Sequence, residues 1–385
     1  MIHILELKQV TAAHSEEIHE AVRRVIVEDG YLGIGAEVKR FEQELASYLG
    51  VNPELVCTAN TGTSALTLAV DAVAPGQFGQ GPRGSILVPS LTFVASFQAC
   101  TACGVTPIAC EVLPETGTID LADCEKRLAK DTFAIMPVHY ASNPWQLDEV
   151  YAFAARHGLR VVEDAAHAFG CRHDGKRIGS FGDVACFSFD GIKNITSGEG
   201  GLVVCQDRET ARIAQDARLL SVEGDTRARF AGERTWDPDV VRQGWRFHMS
   251  NIMAAVGRVQ LSRLEPEFIP ARKRLCTLYR EELEGVAGVA FLKESPRDDI
   301  VHHIQPLRVL NGRMPAVRQH LLDAGIPVGV HYKPNHLLSY FKIEGEAPFP
   351  QTEGLFAELM TLPLHPGLSD ADVREVCAKI KEALS

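Results

Sequence analysis

The chain reads as an α/β protein: a mostly parallel, seven-stranded sheet in a large domain, joined to a smaller α+β unit built from the C-terminal third. Three observations predict this. Between Leu55 and Asp207, short apolar runs alternate with longer amphipathic ones, the pattern of a parallel sheet covered on both faces by its crossover helices. Several apolar runs end in stretches rich in hydroxyl, glycine or carboxylate residues, at the sheet edge where such folds collect ligands. After Ile252 the pattern turns helix-rich, with a few strands and a final helix near Asp370–Ala383.

In chain order, residues before Gly30 predict one amphipathic helix, with Ile18, Val22 and Ile26 at fourfold spacing. The expected strands are Leu55–Ala59, Ile86–Val88, Pro107–Glu111, Phe133–Val138, Leu159–Glu163, Val184–Phe189 and Gly201–Cys205. Helices are expected at Thr63–Ala72, Val94–Thr101, Leu121–Ala129 and Leu147–His157. The polar stretch Val222–Val241, with Gly224, Gly232 and Pro238, predicts a long loop at the edge of the large domain. The large domain is placed at 30–250, and the small domain at 1–29 with 251–385.

Composition narrows the class. The 385 residues suit two or three domains at roughly 150 residues each. A formal net charge of −11 argues against a nucleic-acid binder, which needs a basic face for phosphates. The most apolar stretch, Ser85 to Val112, is broken by Pro89, Gln98 and Gly104, so no membrane helix is expected. The opening MIHILELKQV carries no signal-peptide pattern, and the cytoplasm is the default location. Ten cysteines are scattered without a framework; Cys100 and Cys103 form a CxxC with no second pair nearby, so buried thiols are expected and no metal site.

The chemistry-bearing residues stand at strand ends. Val161-Val162-Glu163-Asp164-Ala165-Ala166-His167 is an apolar strand ending in carboxylates, and by itself Asp164 would be read as a helix cap. Further on, Ser188-Phe189-Asp190-Gly191-Ile192-Lys193 carries a strand into a lysine, followed by the glycine-dense Ser197-Gly198-Glu199-Gly200-Gly201. A lysine and a carboxylate are the parts pyridoxal chemistry needs: an amine for a Schiff base, and an anion that keeps the ring nitrogen protonated. Asn60-Thr61-Gly62-Thr63-Ser64 opens a helix, where N–H groups and the helix dipole favour a phosphate. In Val88-Pro89-Ser90-Leu91-Thr92-Phe93 the aromatic ring is available to stack on a flat cofactor.

With these motifs in this order, the chain resembles fold-type-I pyridoxal-phosphate aminotransferases. More narrowly, it resembles the nucleotide-sugar aminotransferases of the DegT/DnrJ/StrS type. Gly33-Ile34-Gly35-Ala36-Glu37-Val38, Gly179-Ser180-Phe181-Gly182-Asp183, Met249-Ser250-Asn251-Ile252, Val330-His331-Tyr332 with His336, and Leu362-Pro363-Leu364 extend the likeness over nearly the whole chain. The resemblance implies that Lys193 is the Schiff-base lysine and proton shuttle and that Asp164 pairs with the pyridinium nitrogen. It puts His167 beside the cofactor's phenolic oxygen, Gly62, Thr63 and Ser188 on its phosphate, and Phe93 on its ring. Tyr31, Tyr332 and His336 would line the sugar-nucleotide side. It further implies pyridoxal 5'-phosphate, with pyridoxamine phosphate carrying the amino group, L-glutamate as donor, and a homodimer with shared active sites.

Two departures from the family pattern stand out. Gly244-Trp245-Arg246-Phe247-His248 has Arg246 where relatives carry an asparagine that reaches the partner subunit's cofactor phosphate. An arginine there would give a bidentate charged contact to that phosphate or to the nucleotide diphosphate. A common His-x-Tyr-Gly run appears as His139-Tyr140-Ala141-Ser142. The rival readings are a sugar dehydratase, disfavoured because such relatives replace the lysine by histidine, an aminotransferase for a cyclitol or other small ketone, and a non-catalytic regulatory subunit.

Overall fold

The structure is a computed structural model, and it describes residues 2–225, 230–231, 239–342 and 348–385. Its large sheet has seven strands: β1 (Val56–Ala59), β2 (Ser85–Pro89), β3 (Thr106–Cys110), β4 (Thr132–Ile135), β5 (Arg160–Asp164), β6 (Val184–Ser188) and β7 (Gly201–Cys205). They lie in the order β1-β7-β6-β5-β4-β2-β3. Only β7 runs against its neighbours, pairing antiparallel with β1 and β6 while the other pairs are parallel. The expected strands are all present, within a few residues of their predicted bounds.

Side-chain alternation explains why these strands read as continuous apolar runs. Cys57, Ala59, Val162, Cys186 and Val203 pack on one face, against helices Gly62–Val73 and Ala95–Ala102. Val56, Ala185, Phe187, Leu202 and Val204 pack on the other, against helix Ala36–Leu49. A strand buried on both faces has no polar face to show. The same period of two separates neighbouring carboxylates. Asp164 accepts a hydrogen bond from Ser96 Oγ at 2.6 Å, whereas Glu163 meets His139 Nε2 at 2.7 Å and Tyr151 Oη at 2.5 Å.

The C-terminal unit is a three-stranded sheet of Val289–Ala290, Gln305–Val309 and Leu359–Leu362. Leu275, Tyr279, Val317, Leu321, Val376 and Ile380 fill its core from helices Ile269–Leu283, Met314–Asp323 and Asp370–Leu384. The boundary differs from the one placed at residue 251. Helix Asn251–Arg263 packs on Ala36–Leu49, and a Cβ on its Gly257 would lie 2.6 Å from Phe41 Cζ, so a small residue is required for that approach.

The N-terminal helix Ser15–Arg24 buries Ala21, continued by Val25, against Ala255, while Ile26 is 53% exposed. The buried stripe is therefore shifted by one position from the one that periodicity suggested. In Val222–Val241, Gly232 and Pro238 lie outside the described residues; Val222 and Val240 pair as an isolated antiparallel bridge. No helix among the described residues is long and apolar enough to cross a membrane. All ten cysteines are free and buried, Cys100 and Cys103 included.

One buried ion pair ties helix to sheet beside the future site. Glu42 Oε1 takes hydrogen bonds from the Thr58 backbone N–H (2.9 Å), Thr58 Oγ1 (2.8 Å) and Arg218 Nη1 (2.5 Å), and Arg218 is fully buried. Removing one partner strands the other charge in a low dielectric. Glu42→Ala is expected to lower the unfolding free energy by about 3–5 kcal/mol, read by urea denaturation.

Candidate active site

Because β1, β2, β5 and β6 are parallel to one another, their carboxyl ends open on the same side. There they enclose a cavity of about 450 Å³. Gly62, Thr63, Phe93, Asp164, His167, Ser188, Lys193 and Tyr332, all singled out from the sequence, line it together. Tyr31, Arg246 and His336 do not. Tyr31 is nearly half exposed, and its carbonyl accepts from Asn251 Nδ2 at 2.8 Å. Arg246 is exposed, and its backbone pairs with Leu219. His336 is buried, with Nδ1 2.7 Å from Ser90 Oγ and its ring stacked on Phe349 at 4.0 Å.

The phosphate-type corner is made by backbone register. Ala59, Gly201 and Ser188 stand side by side across β1, β7 and β6. Helix Gly62–Val73 starts directly beyond, capped by Thr61 Oγ1, which accepts from Ser64 N at 2.9 Å. A Cβ on Gly62 would lie 2.7 Å from Ser188 Cβ, and one on Gly201 would lie 2.2 Å from the Thr61 carbonyl oxygen. Both glycines are demanded by close approach rather than by a turn. The first turn of this helix holds no acidic residue, so its positive end faces the cavity uncompensated.

Asp164 sits at the end of β5, buried, with Oδ2 taking the Ser96 hydroxyl and Oδ1 the Ala166 N–H at 3.2 Å. Burial raises its pKa above the ordinary carboxylate value, while these two hydrogen bonds and the charge of Lys193 oppose the rise. Lys193 faces it across the cavity. Burial pulls the Lys193 amine down to about 8, against the attraction of Asp164 and Asp190. A lysine tuned toward neutrality is a usable base near physiological pH.

His167 is held well below the usual imidazole range, first by burial and then by the charge of Lys193, so it is neutral. Its Nε2 lies 3.0 Å from Tyr332 Oη. Burial, with Asp164 and Asp190, raises the Tyr332 phenol, which stays protonated and can donate to Nε2. The other ring nitrogen, Nδ1, is buried with no partner among the described residues. Phe93 is 53% exposed, its ring 5.4 Å from that of Tyr332.

Sequence reasoning passed over several neighbours. Ser96 lies one residue into helix Ala95–Ala102, in the run from Ser85 to Val112, and holds Asp164. His331 lines the cavity, its pKa lowered to about 4 by burial and by Lys193. It stands beside Tyr332 in a stretch already noted, which was the available signal. His303 approaches Lys193 from the C-terminal unit, and nothing in Val301-His302-His303-Ile304 announces it.

Lysine, carboxylate, helix N-terminus and exposed aromatic ring around one cavity at the edge of a parallel sheet define an aminotransferase of the fold-type-I class. The chain belongs to the DegT/DnrJ/EryC1/StrS aminotransferase family, which it matches over residues 12–381. It is 32% identical over 376 residues to a dTDP-4-dehydro-2,3,6-trideoxy-D-glucose 4-aminotransferase of Saccharopolyspora spinosa, covering 96% of this chain and 94% of that protein. To the GDP-perosamine synthase of Caulobacter vibrioides it is 35% identical over 355 residues, 91% of each chain. The crystal structure of S. venezuelae DesV in complex with a ketimine intermediate superposes with a TM-score of 0.89 at 30% identity, covering 100% of this chain and 98% of that one.

The lowered Lys193 amine is directly measurable. In the cofactor-free chain, acetylation of Lys193 followed by peptide mass spectrometry should half-titrate near about 8. Exposed lysines in the same sample should titrate near about 10.4. Coincident midpoints would refute the tuning.

Proposed function

We propose that the chain is a pyridoxal-phosphate-dependent aminotransferase that converts a nucleotide-linked keto-sugar to the amino sugar, with L-glutamate as the donor. The observation that carries the reading is Lys193 and Asp164 facing one cavity whose third wall is an acid-free helix N-terminus. The residues present fit the cofactor. Gly62 leaves a cradle that a Cβ would fill, His167 Nδ1 is a buried ring nitrogen without a partner among the described residues, and Phe93 offers an open ring face.

When bound, pyridoxal phosphate supplies an electron sink for the carbon that loses its proton. Asp164 would hold a proton on the ring nitrogen, its orientation fixed by Ser96 and the Ala166 N–H. Gly62, Thr63 and Ser188 would hold the phosphate, and Phe93 would cover the ring. The Lys193 amine would hold the cofactor and, when free, would be the base that moves the donor's α-proton. Its lowered pKa leaves it partly unprotonated at neutral pH, as a base requires. Tyr332 lines the cavity beside Phe93, where it would meet the substrate.

A homodimer with shared active sites is part of the proposal. Ile26, Val27 and Leu32 are exposed around Tyr31, apolar surface that a second copy would cover. Arg246 is exposed and does not line its own cavity, and would serve the partner's phosphate or the nucleotide diphosphate. Sedimentation should give twice the chain mass, and Val27→Asp should shift it toward the monomer with loss of activity.

Lys193→Ala should abolish the visible absorbance of the bound cofactor and lower amination by at least about 10²–10⁴-fold. An unchanged spectrum would sink the assignment. A panel of dTDP-, UDP- and GDP-linked 3-keto and 4-keto sugars with glutamate, read by product mass and NMR, identifies the substrate. If no member is aminated, a cyclitol or other small ketone replaces the sugar nucleotide.

A further inference from the structure

His303 is not among the residues that line the cavity, yet its Nε2 lies 3.4 Å from Lys193 Nζ. The contact is set by ties on both partners. The His303 backbone N–H donates to Ser142 Oγ at 2.9 Å, and its carbonyl accepts from Arg272 Nη1 at 3.2 Å. Asn194, the residue after Lys193, donates from Nδ2 to the carbonyl of Val301, two residues before His303, at 3.1 Å. The lysine loop and the histidine segment are thereby held in register. The imidazole is further fixed by His167, 4.6 Å away between ring centroids.

The hydrogen bonds decide how this histidine is protonated. His303 Nδ1 is buried with no partner among the described residues. A buried N–H without an acceptor is rarer than a buried lone pair without a donor. The ring proton therefore belongs on Nε2, facing Lys193. An ammonium has three donors and no acceptor, so an Nε2–H can pair with Nζ only when the amine is neutral.

We infer that His303 is a positioning residue for Lys193, donating a hydrogen bond from Nε2–H to the free amine so that the neutral lysine is favoured and held toward the cavity whenever it is detached from the cofactor. This rests on the reading of Lys193 as the cofactor-bearing base.

The other groups around Lys193 do not supply that contact. Asp164 and Asp190 favour the ammonium form, whereas burial and the charge of Lys193 keep His167 and His331 neutral, and Tyr332 stays protonated. His303 itself is neutral, pushed well below the usual imidazole range by burial and by the charge of Lys193.

Ser142 is the keystone of the arrangement. Its hydroxyl donates to the His167 carbonyl while accepting from the His303 N–H, so one side chain sets both histidines. It does so from a left-handed backbone, φ 72°, beside Ala141 at φ 52°. Residues other than glycine hold such conformations when the surroundings over-determine them, often at functional sites. The departure from the His-x-Tyr-Gly pattern thus gains a purpose.

The test uses the full chain freed of cofactor, with Lys193 acetylation followed against pH by mass spectrometry. His303→Phe fills the same space without a donor. Its Lys193 midpoint should rise, and labelling below the midpoint should slow by about five- to tenfold, the effect of one lost hydrogen bond to the neutral amine. His303→Gln keeps an N–H donor and should label within about twofold of the parent.

Ser142→Gly keeps the backbone conformation but drops the hydroxyl, and should shift the midpoint in the same direction. Labelling of His303→Phe as fast as the parent, or faster as added burial alone would produce, overturns the proposal. Should the Phe variant fail to fold, His303→Asn is compared with His303→Gln: the shorter amide should lose the contact, and equal midpoints overturn the proposal. In parallel, borohydride reduction of the parent soaked with pyridoxal phosphate reports whether Lys193 carries the cofactor. Failure there refutes the reading of the site, whereas success there with an unmoved midpoint refutes only the role of His303.

Discussion

The cavity depends on one backbone constraint. Ala59, Gly201 and Ser188 must stand side by side so that helix Gly62–Val73 begins within van der Waals reach of β6. Its N–H groups then open beside Ser188, while Asp164 ends the next strand over. Parallel strands bring these carboxyl ends to a single edge, and the period of two turns Asp164 toward the helix face and Glu163 away from it. The two glycines supply no chemistry of their own. They let two backbones meet where any side chain would hold them apart.

Charge organises the next layer. Lys193, Asp164, His167 and His331 line the cavity together, and enclosure pushes each of these four toward its neutral form. Removing water weakens every charged state but strengthens the pairwise interactions that remain. The site can therefore shift protons over short distances with small changes in free energy. Elsewhere in the large domain, the buried ion pairs Arg218–Glu42 and Arg83–Asp71 tie its elements together.

Much of this was legible beforehand, and for definable reasons. The seven strands announced themselves because doubly buried strands leave uninterrupted apolar runs. Lys193, Asp164, Gly62 and Phe93 were found because each follows a strand, and the edge of a parallel sheet is where strand-end residues meet. A histidine in a family-like segment carries no mark of which way it turns; His336 packs against Ser90 and Phe349 rather than on the cavity wall. The N-terminal helix was registered one position off because Ala21 contributes little to an apolar count, although it makes the close contact with Ala255.

The sequence by itself determined the sheet, the order of its strand-end motifs and the chemistry those motifs can perform, because all of these follow from local periodicity and residue type. The tertiary structure alone decided which distant side chains complete the set. Ser96 beneath Asp164, His331 on the cavity wall, and Ser142 with His303 beside Lys193 all come from other elements, and no spacing rule joins them. The same holds for the protonation of Lys193. A lysine's pKa is a property of its enclosure, and enclosure exists only once sheet and C-terminal unit have packed together.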